Sequence, residues 1–360
     1  MTVFSSRDFK DHELVAFGSD AATGLKCIVA VHGTQLGPAL GGCRMWDYGS
    51  DDEALADALR LSRGMTYKAA IAGLNVGGGK AVIMGDAGRD KSEDLLRAFG
   101  RFVDSLGGRY ITAEDVGTTV ADMDVIATQT PFVRGTSEGS GNPSPMTALG
   151  VYMAIRAAVE HGLGYAELSG VRVAVQGLGS VGYALCRHLA DAGARLSVTD
   201  IDEGAVRRAA AEFGAHPVAP DDIYGTEADV FAPCALGAVL NDATIPLLRV
   251  RVVTGAANNQ LAEGRHGAEL KRRGILYTPD YVANAGGLID VAHDGPGRDA
   301  DAVRRMTEGI YGTVKRILAR AEAEDAATSA VADRIAEERI AGNGVAGNRI
   351  SGRADAELAA

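Results

Sequence analysis

The sequence predicts an α/β protein of two domains, the second built on a doubly wound, mainly parallel sheet. Three observations predict it. The chain has 360 residues, too many for one ordinary core and enough for two. Apolar segments of strand character alternate with helical ones along most of its length. One stretch, Val171–Asp200, reads strand, glycine turn, helix, strand, the unit from which such sheets are wound.

Each element has its own signal. Leu25–Val31 is rich in β-branched and apolar residues and reads as a strand. Ser50-Asp51-Asp52-Glu53 starts a helix, with acidic residues in its first turn. Leu95, Phe99, Phe102, Val103 and Leu106 recur at helical spacing, and Gly107-Gly108 closes that helix. Tyr110–Ala113 is a short strand, and Val120, Met123 and Ile126 mark another helical face. Thr136–Pro145 is rich in glycine, serine and proline and reads as a linker or hinge. A helix through Ala148–His161 precedes the glycine-turn unit, and further strands fall at Asp229–Ala232, Val252–Gly255 and Ile275–Tyr277. Val303, Met306, Ile310, Val314, Ile317 and Leu318 form one face of a long amphipathic helix, and Ala330–Ile340 forms a shorter one. The tail Ala341–Ala360 has no apolar periodicity and is expected to be poorly ordered.

Composition excludes several classes. A net charge of −11 repels phosphate backbones, so nucleic acid is not an expected partner. Near Met1, the charges Arg7, Asp8, Lys10 and Asp11 leave no apolar core of signal-peptide length, and no apolar run is long enough for a membrane span. Cys27, Cys43, Cys186 and Cys234 are far apart and form no CxxC, which fits reduced thiols in a cytoplasmic protein. The seven histidines show no metal spacing, His161 and His188 read as packing or surface groups, and no HExxH or GxSxG occurs. No metal and no serine mechanism is expected. The 47 glycines far exceed the usual ~7 % and follow no period, so they point to tight turns and close backbone approach to ligands.

The glycine turn is Gly177-Leu178-Gly179-Ser180-Val181-Gly182. Alone, that pattern is weak. Here a strand precedes it, a helix follows it, and Asp200 ends the next strand at near the expected spacing of ~20 residues. Gly177 permits the turn, Gly179 lets backbone approach a pyrophosphate, and Gly182 lets helix and strand pack closely. The helix N-terminus, with Ser180 and Val181, offers free N–H groups and a positive dipole end to phosphates. Asp200 accepts from ribose hydroxyls and repels a 2′-phosphate, which favours NAD over NADP. Arg207 and Arg208 are expected on the exposed face of the next helix.

Two lysines sit in apolar, glycine-rich surroundings. Lys68 ends Gly64-Met-Thr-Tyr-Lys68 and Lys80 ends Gly77-Gly-Gly-Lys80. A poorly hydrated lysine acts as a base near neutral pH or pairs with a substrate carboxylate. Taken singly, each also reads as a solvated surface residue. The GGGK stretch is not a phosphate-binding P-loop, because the first glycine is misplaced and Ala81 replaces the required Ser/Thr. Asp115, at a strand end before Gly117, reads by itself as a cap for the following helix.

Together these residues resemble the glutamate/leucine/phenylalanine/valine dehydrogenase family, and its leucine-using branch most closely. The resemblance runs from about Leu14 to about Ile340. It is carried by Leu36-Gly-Pro-Ala-Leu-Gly-Gly42, Gly64–Lys68, Leu74–Lys80 and Arg109–Thr118. Ser140–Pro145, Phe231–Gly237, Gly255–Asn259 and Asn284-Ala-Gly-Gly287 complete it. The resemblance implies a substrate-binding and oligomerisation domain over 1–140, completed by 325–341, and a Rossmann-type NAD domain over 141–324, with a cleft between them and a tail over 342–360. It implies reversible oxidative deamination of an L-amino acid to a 2-oxoacid, ammonium and NADH by a homo-oligomer. On the family pattern Lys68 binds the substrate carboxylate with the Gly41-Gly42 backbone, Lys80 activates water, and Asp115 relays protons. Thr147 and Asn258 contact the nicotinamide end of the cofactor, and Asn284 lies between cofactor and substrate.

Leu40 stands where glutamate-using relatives place a lysine, and Ala113 and Val291 match other pocket positions. An apolar pocket rejects a γ-carboxylate, since a buried unpaired charge is costly. Phenylalanine-using relatives carry a smaller residue at position 40 and Gly-Pro in place of Ala113-Glu114. Leucine, isoleucine and valine are therefore the expected substrates, with valine- or phenylalanine-preferring activity and a catalytically silent NAD-binding regulator as the alternatives. Cys43 replaces a usual threonine, and His293–Arg298 replaces a longer apolar family segment behind the pocket.

Overall fold

The computed structural model describes residues 3–295 and 297–345. They divide into two compact units. One runs to Asn142 and takes in Val291–Arg298 and the chain from Ala336; the other comprises Pro143–Asp290 and Asp299–Ile335.

The first unit contains β1 (Leu14–Asp20), β2 (Leu25–Gly33), β3 (Ala39–Trp46), α1 (Asp51–Ile71), β4 (Gly77–Met84), α2 (Glu93–Ser105), β5 (Tyr110–Glu114) and α3 (Val120–Ala127). Its strands form one sheet in the order β1-β2-β4-β3-β5. β2 runs antiparallel to β1 and β4, whereas β3 is parallel to β4 and β5. Helices cover both faces, which is why the strands are nearly continuous apolar runs. On one face Phe99, Val103, Met123 and Ile126 pack against Val29, Cys43, Met45 and Ile83. On the other, Ala54, Leu55, Ala58 and Leu59 of α1 pack against Ile28, Ala30 and Val82.

α1 begins where Ser50 accepts the Glu53 N–H and three acidic residues meet the positive end of the helix dipole. It lies so close to β4 that a Cβ on Gly78 would come 2.1 Å from the Thr66 nitrogen. Gly78 of the GGGK stretch therefore lets this helix rest on backbone.

The second unit contains α4 (Ser144–Leu163), β6 (Arg172–Gln176), α5 (Ser180–Asp191), β7 (Arg195–Thr199), α6 (Glu203–Phe213), β8 (His216–Pro217), β9 (Val230–Pro233), β10 (Val252–Val253), α7 (Arg265–Arg272), β11 (Leu276–Tyr277), α8 (Asp280–Ala283), α9 (Gly286–Ala292, which runs on past the unit's limit), α10 (Ala300–Glu308), α11 (Ile310–Ala323) and the start of α12 (Thr328–Val345). The strand order is β11-β10-β9-β6-β7-β8, and every pairing is parallel. The order reverses between β6 and β9, the switch point at which such sheets bind ligands.

Two expectations change. The long helix expected through Val303 and Leu318 is two helices meeting at Gly309, a residue of low helix propensity, though both still bury the expected stripe. α12 extends into the expected loose tail as far as Val345; the remainder of that tail lies outside the described residues. Among the described residues no helix is long and apolar enough to cross a membrane, and no group of three His, Cys, Asp or Glu side chains could hold a metal.

Candidate active site

Strand periodicity sets the site of the first unit. In the β3–β4–β5 register, Leu40 lies beside Gly78 and Ile111, Gly42 beside Ala113, and Arg44 beside Val82. Side chains alternate faces along a strand. Leu40, Arg44, Lys80 and Ala113 therefore share the face covered by α1.

On that face Lys80 Nζ lies 2.8 Å from Asp115 Oδ2, with its side chain 7 % exposed. Arg44 Nε reaches the same oxygen at 3.2 Å, and Arg44 Nη1 reaches Asp57 Oδ2 at 2.9 Å. Burial opposes ionisation of Asp115, but Lys80 and Arg44 beside it hold its carboxyl below the usual carboxylate value. Burial, followed by the Asp115 charge, raises its neighbour Glu114.

Asp115 is not a helix cap. Thr119 caps α3, in a reciprocal pair with Asp122. The turn after β5 is tied by Thr118, whose Oγ1 donates to the Cys43 carbonyl at 2.8 Å and accepts the Asp115 N–H at 2.9 Å. Gly117, at φ +82°, makes that turn possible against the Met45 carbonyl.

The glycine pair between these charges is a close contact. A Cβ on Gly41 would lie 1.8 Å from the Gly79 carbonyl oxygen, and one on Gly42 would lie 2.8 Å from Asp115 Cβ. Lys68 is half-buried in the last turn of α1. Leu40, Ala113 and Val291 are all buried in the first unit. Cys43 points to the opposite face, where burial pushes its thiol well up and out of reactive range.

The other unit carries its own candidate residues. Gly177 has φ +99°, and a Cβ there would strike Ala235 beyond β9. One on Gly182 would lie 2.0 Å from the Gly177 carbonyl oxygen, so α5 packs directly on the turn. A Cβ on Gly179 would meet nothing within 4 Å, and this residue heads α5 without a side-chain cap. A cavity of 550 Å³ beside the head of α5 is lined in part by Gly179, Ser180, Tyr183, Asp202 and Arg208. Asp200 accepts the N–H groups of Leu178 at 2.5 Å and Asp202 at 2.8 Å. Arg207 and Arg208 are exposed on α6, with Arg208 3.7 Å from Asp202.

Asn284 and Asn258 are brought together: Asn284 Nδ2 donates to Asn258 Oδ1 at 2.7 Å and to the Ala256 carbonyl at 2.9 Å. Asn284 Oδ1 is buried without a partner among the described residues. Thr147 donates to the Pro143 carbonyl in the first turn of α4 and abuts Gly287. His188 stacks on Tyr152, a packing role.

Arg44 and Asp57 escape sequence reading. Their signals were a lone arginine in an apolar strand and an aspartate on the buried stripe of α1, neither of which names a partner.

Comparison with known proteins gives a consistent result. Residues 14–132 match the family model of the Glu/Leu/Phe/Val dehydrogenase dimerisation domain, and residues 139–210 and 202–342 match that of Glutamate/Leucine/Phenylalanine/Valine dehydrogenase. The chain is 55 % identical to a leucine dehydrogenase of Geobacillus stearothermophilus over 94 % of its own length and 93 % of the relative's. It is 49 % identical to a valine dehydrogenase of Streptomyces virginiae, covering 94 % and 96 %. The crystal structure of L-tryptophan dehydrogenase from Nostoc punctiforme superimposes with a TM-score of 0.82 at 46 % identity, covering 93 % and 97 %.

Proposed function

The chain belongs to the glutamate/leucine/phenylalanine/valine dehydrogenase family, and from that membership we propose that it catalyses reversible, NAD-dependent oxidative deamination of leucine, isoleucine and valine. The observation that carries the reading is the buried Lys80–Asp115 pair, on the sheet face that also bears Leu40 and Ala113.

The second unit suits a dinucleotide. The head of α5 lacks a side-chain cap, the space before Gly179 is open, and Asn284 Oδ1 lacks a partner among the described residues. Gly177, Gly179, Ser180, Val181 and Gly182 would hold the pyrophosphate, Asp200 the ribose, and Thr147 and Asn258 the nicotinamide end. NAD held there would supply the hydride acceptor for the substrate Cα. The Asp200 charge disfavours a 2′-phosphate, and the nearby Arg208 is engaged by Asp202.

Lys68 and the Gly41-Gly42 backbone bind the substrate carboxylate, and Asn284 is a further substrate contact. Asp115 takes the proton released as the ammonium becomes an amine. Hydride loss leaves an iminium on Cα. Lys80, after passing its proton to solvent, takes one from the water that attacks the iminium. Asp115 returns its proton to nitrogen, and ammonia leaves as the carbonyl forms, the carbinolamine hydroxyl proton going to it to give ammonium. Leu40, Ala113 and Val291 receive the aliphatic side chain. A silent regulator has no need of this ion pair.

The match to a dimerisation-domain family over residues 14–132 supports self-association. Four unpaired cysteines fit the reducing cytoplasm. The test is NADH formation by purified protein from a panel of L-amino acids. Branched-chain substrates should lead; no turnover with any amino acid would overturn the reading.

A further inference from the structure

A chain of alternating charges runs inward along the α1-facing side of the first sheet. Asp57, on the buried stripe of α1, accepts from Tyr48 Oη at 2.8 Å and from Arg60 Nη2 at 2.9 Å. Its Oδ2 also accepts from Arg44 Nη1 at 2.9 Å. Arg44 Nε then meets Asp115 Oδ2 at 3.2 Å, the oxygen that Lys80 Nζ approaches to 2.8 Å. We propose that Arg44 is a positioning residue for the deamination: anchored on Asp57, its guanidinium fixes the Asp115 carboxylate against Lys80 and supplies a positive charge that never takes part in proton exchange. The inference rests on the deaminase reading above.

The chemistry calls for such a residue. A proton passes among the substrate nitrogen, Asp115 and Lys80 during turnover. When Asp115 takes it, its attraction for Lys80 falls and the carboxyl is released to turn. A guanidinium does not lose its proton in proteins, so Arg44 holds the same charge at every stage. Its planar fork contacts carboxylates on two sides at once, which a lysine, a single flexible point charge, does not do. Asp57 keeps the fork from following Asp115, because Tyr48 and Arg60 fix Asp57 in turn.

Among the described residues, Tyr110 of β5 is one other titratable group that senses Asp115. Glu114 comes from β5, and the Cys43 thiol sits on the opposite face. Burial works against the Arg44 charge, yet Asp115 and then Asp57 hold it above the ordinary arginine value. Removing a cation beside a coupled acid–base pair raises the proton affinity of the pair. The pH at which the pair becomes active must then rise.

The experiment compares wild type with Arg44→Met, Arg44→Lys and Asp57→Asn. Leucine-dependent NADH formation is followed across the pH range in which each stays folded, with NADH affinity and thermal melting as controls. Failure of the wild type to turn over any amino acid removes the deaminase reading itself. With wild-type turnover in hand, Arg44→Met should lose about ten- to a hundred-fold in kcat, with KM for leucine within about threefold. The acid-side midpoint of its kcat/KM profile should rise by about one pH unit. Arg44→Lys should restore the midpoint but only part of kcat, and Asp57→Asn should lose kcat while keeping the midpoint nearer to wild type. A wild-type kcat and midpoint in Arg44→Met, or a loss confined to KM, overturns the proposal. If Arg44→Met does not fold, full wild-type kcat in both other variants overturns it instead.

Discussion

Lys80 Nζ and Asp115 Oδ2 stand 2.8 Å apart, although one sits on β4 and the other follows β5, with β3 between them. Gly42 is the residue of β3 that lies in this gap, and having no side chain it leaves the two charges in contact. Removing one member of a buried pair ordinarily destabilises by about 3–5 kcal/mol, because the other charge is stranded. Here Arg44 remains on Asp115 when Lys80 is lost. Lys80→Ala should therefore fold, bind NADH at near wild-type affinity through the other unit, and lose at least ~10³-fold in turnover. Steady-state kinetics beside a NADH fluorescence titration checks this, and normal turnover would remove Lys80 from the mechanism.

Cofactor choice should turn on Asp200. Its carboxylate accepts two backbone N–H groups around the glycine turn, so its position is well fixed. The wild type should prefer NAD, and Asp200→Ser should narrow the NAD-to-NADP ratio of kcat/KM about tenfold or more by removing repulsion of the 2′-phosphate. Equal use of both cofactors by the wild type would show that Asp200 does not discriminate.

Side-chain selection should follow Leu40, which is 2 % exposed. Leu40→Ala removes three carbons from the pocket wall, and the activity ratio of leucine to phenylalanine should fall several-fold as larger side chains gain room. The same truncation should cost roughly 2–5 kcal/mol of stability. An unchanged ratio in a folded variant would take Leu40 out of the pocket.

What could be read in advance divides along covalent lines. The glycine turn and Asp200 lie within one strand–turn–helix–strand unit, so linear spacing was enough to connect them. Lys80 and Asp115 were visible through their motifs, yet Asp115 by itself looked like a cap, because nothing linear shows that Thr119 takes that place. The link from Arg44 to Asp57 and Asp115 depends on the β3–β4–β5 register and on the face α1 turns to the sheet. Both are tertiary facts. The break at Gly309 was hidden because the apolar stripe continues through it unchanged.

Stability should fall in mild acid through a histidine pair behind α1. His32 Nδ1 lies 2.9 Å from Thr66 Oγ1, and its ring meets His12 edge-on at 4.9 Å between centroids. Burial, then the His12 and Arg63 charges, pushes His32 from 6.5 down to about 4. The folded ring stays neutral where the unfolded chain already binds a proton. This contribution is therefore intact above about pH 6.5 and is lost as pH falls towards about 4. His12, lowered chiefly by burial, acts in the same direction. Urea midpoints should drop between neutral pH and about pH 5, and His32→Gln should flatten that slope. A slope unchanged in the variant would assign the acid sensitivity elsewhere.

The Gly42 position offers the strictest test of how the site is held. A Cβ there would lie 2.5 Å from the Glu114 carbonyl oxygen and 2.8 Å from Asp115 Cβ. The carbonyl belongs to β5, so it cannot yield without parting β5 from β3. Gly42→Ala should thus push the end of β5 away and draw Asp115 from Lys80, costing about 1–3 kcal/mol of stability and about a hundred-fold in kcat. Gly64 supplies the control. It lies in α1, where an added Cβ would meet nothing within 4 Å, so alanine there removes only the conformational penalty of a helical glycine. Gly64→Ala should raise stability by about 0.5–1 kcal/mol and leave kcat unchanged. If Gly42→Ala kept wild-type kcat, the contact between Asp115 and Lys80 would not depend on the closeness of β3 and β5, and the positioning assigned to that closeness would be wrong.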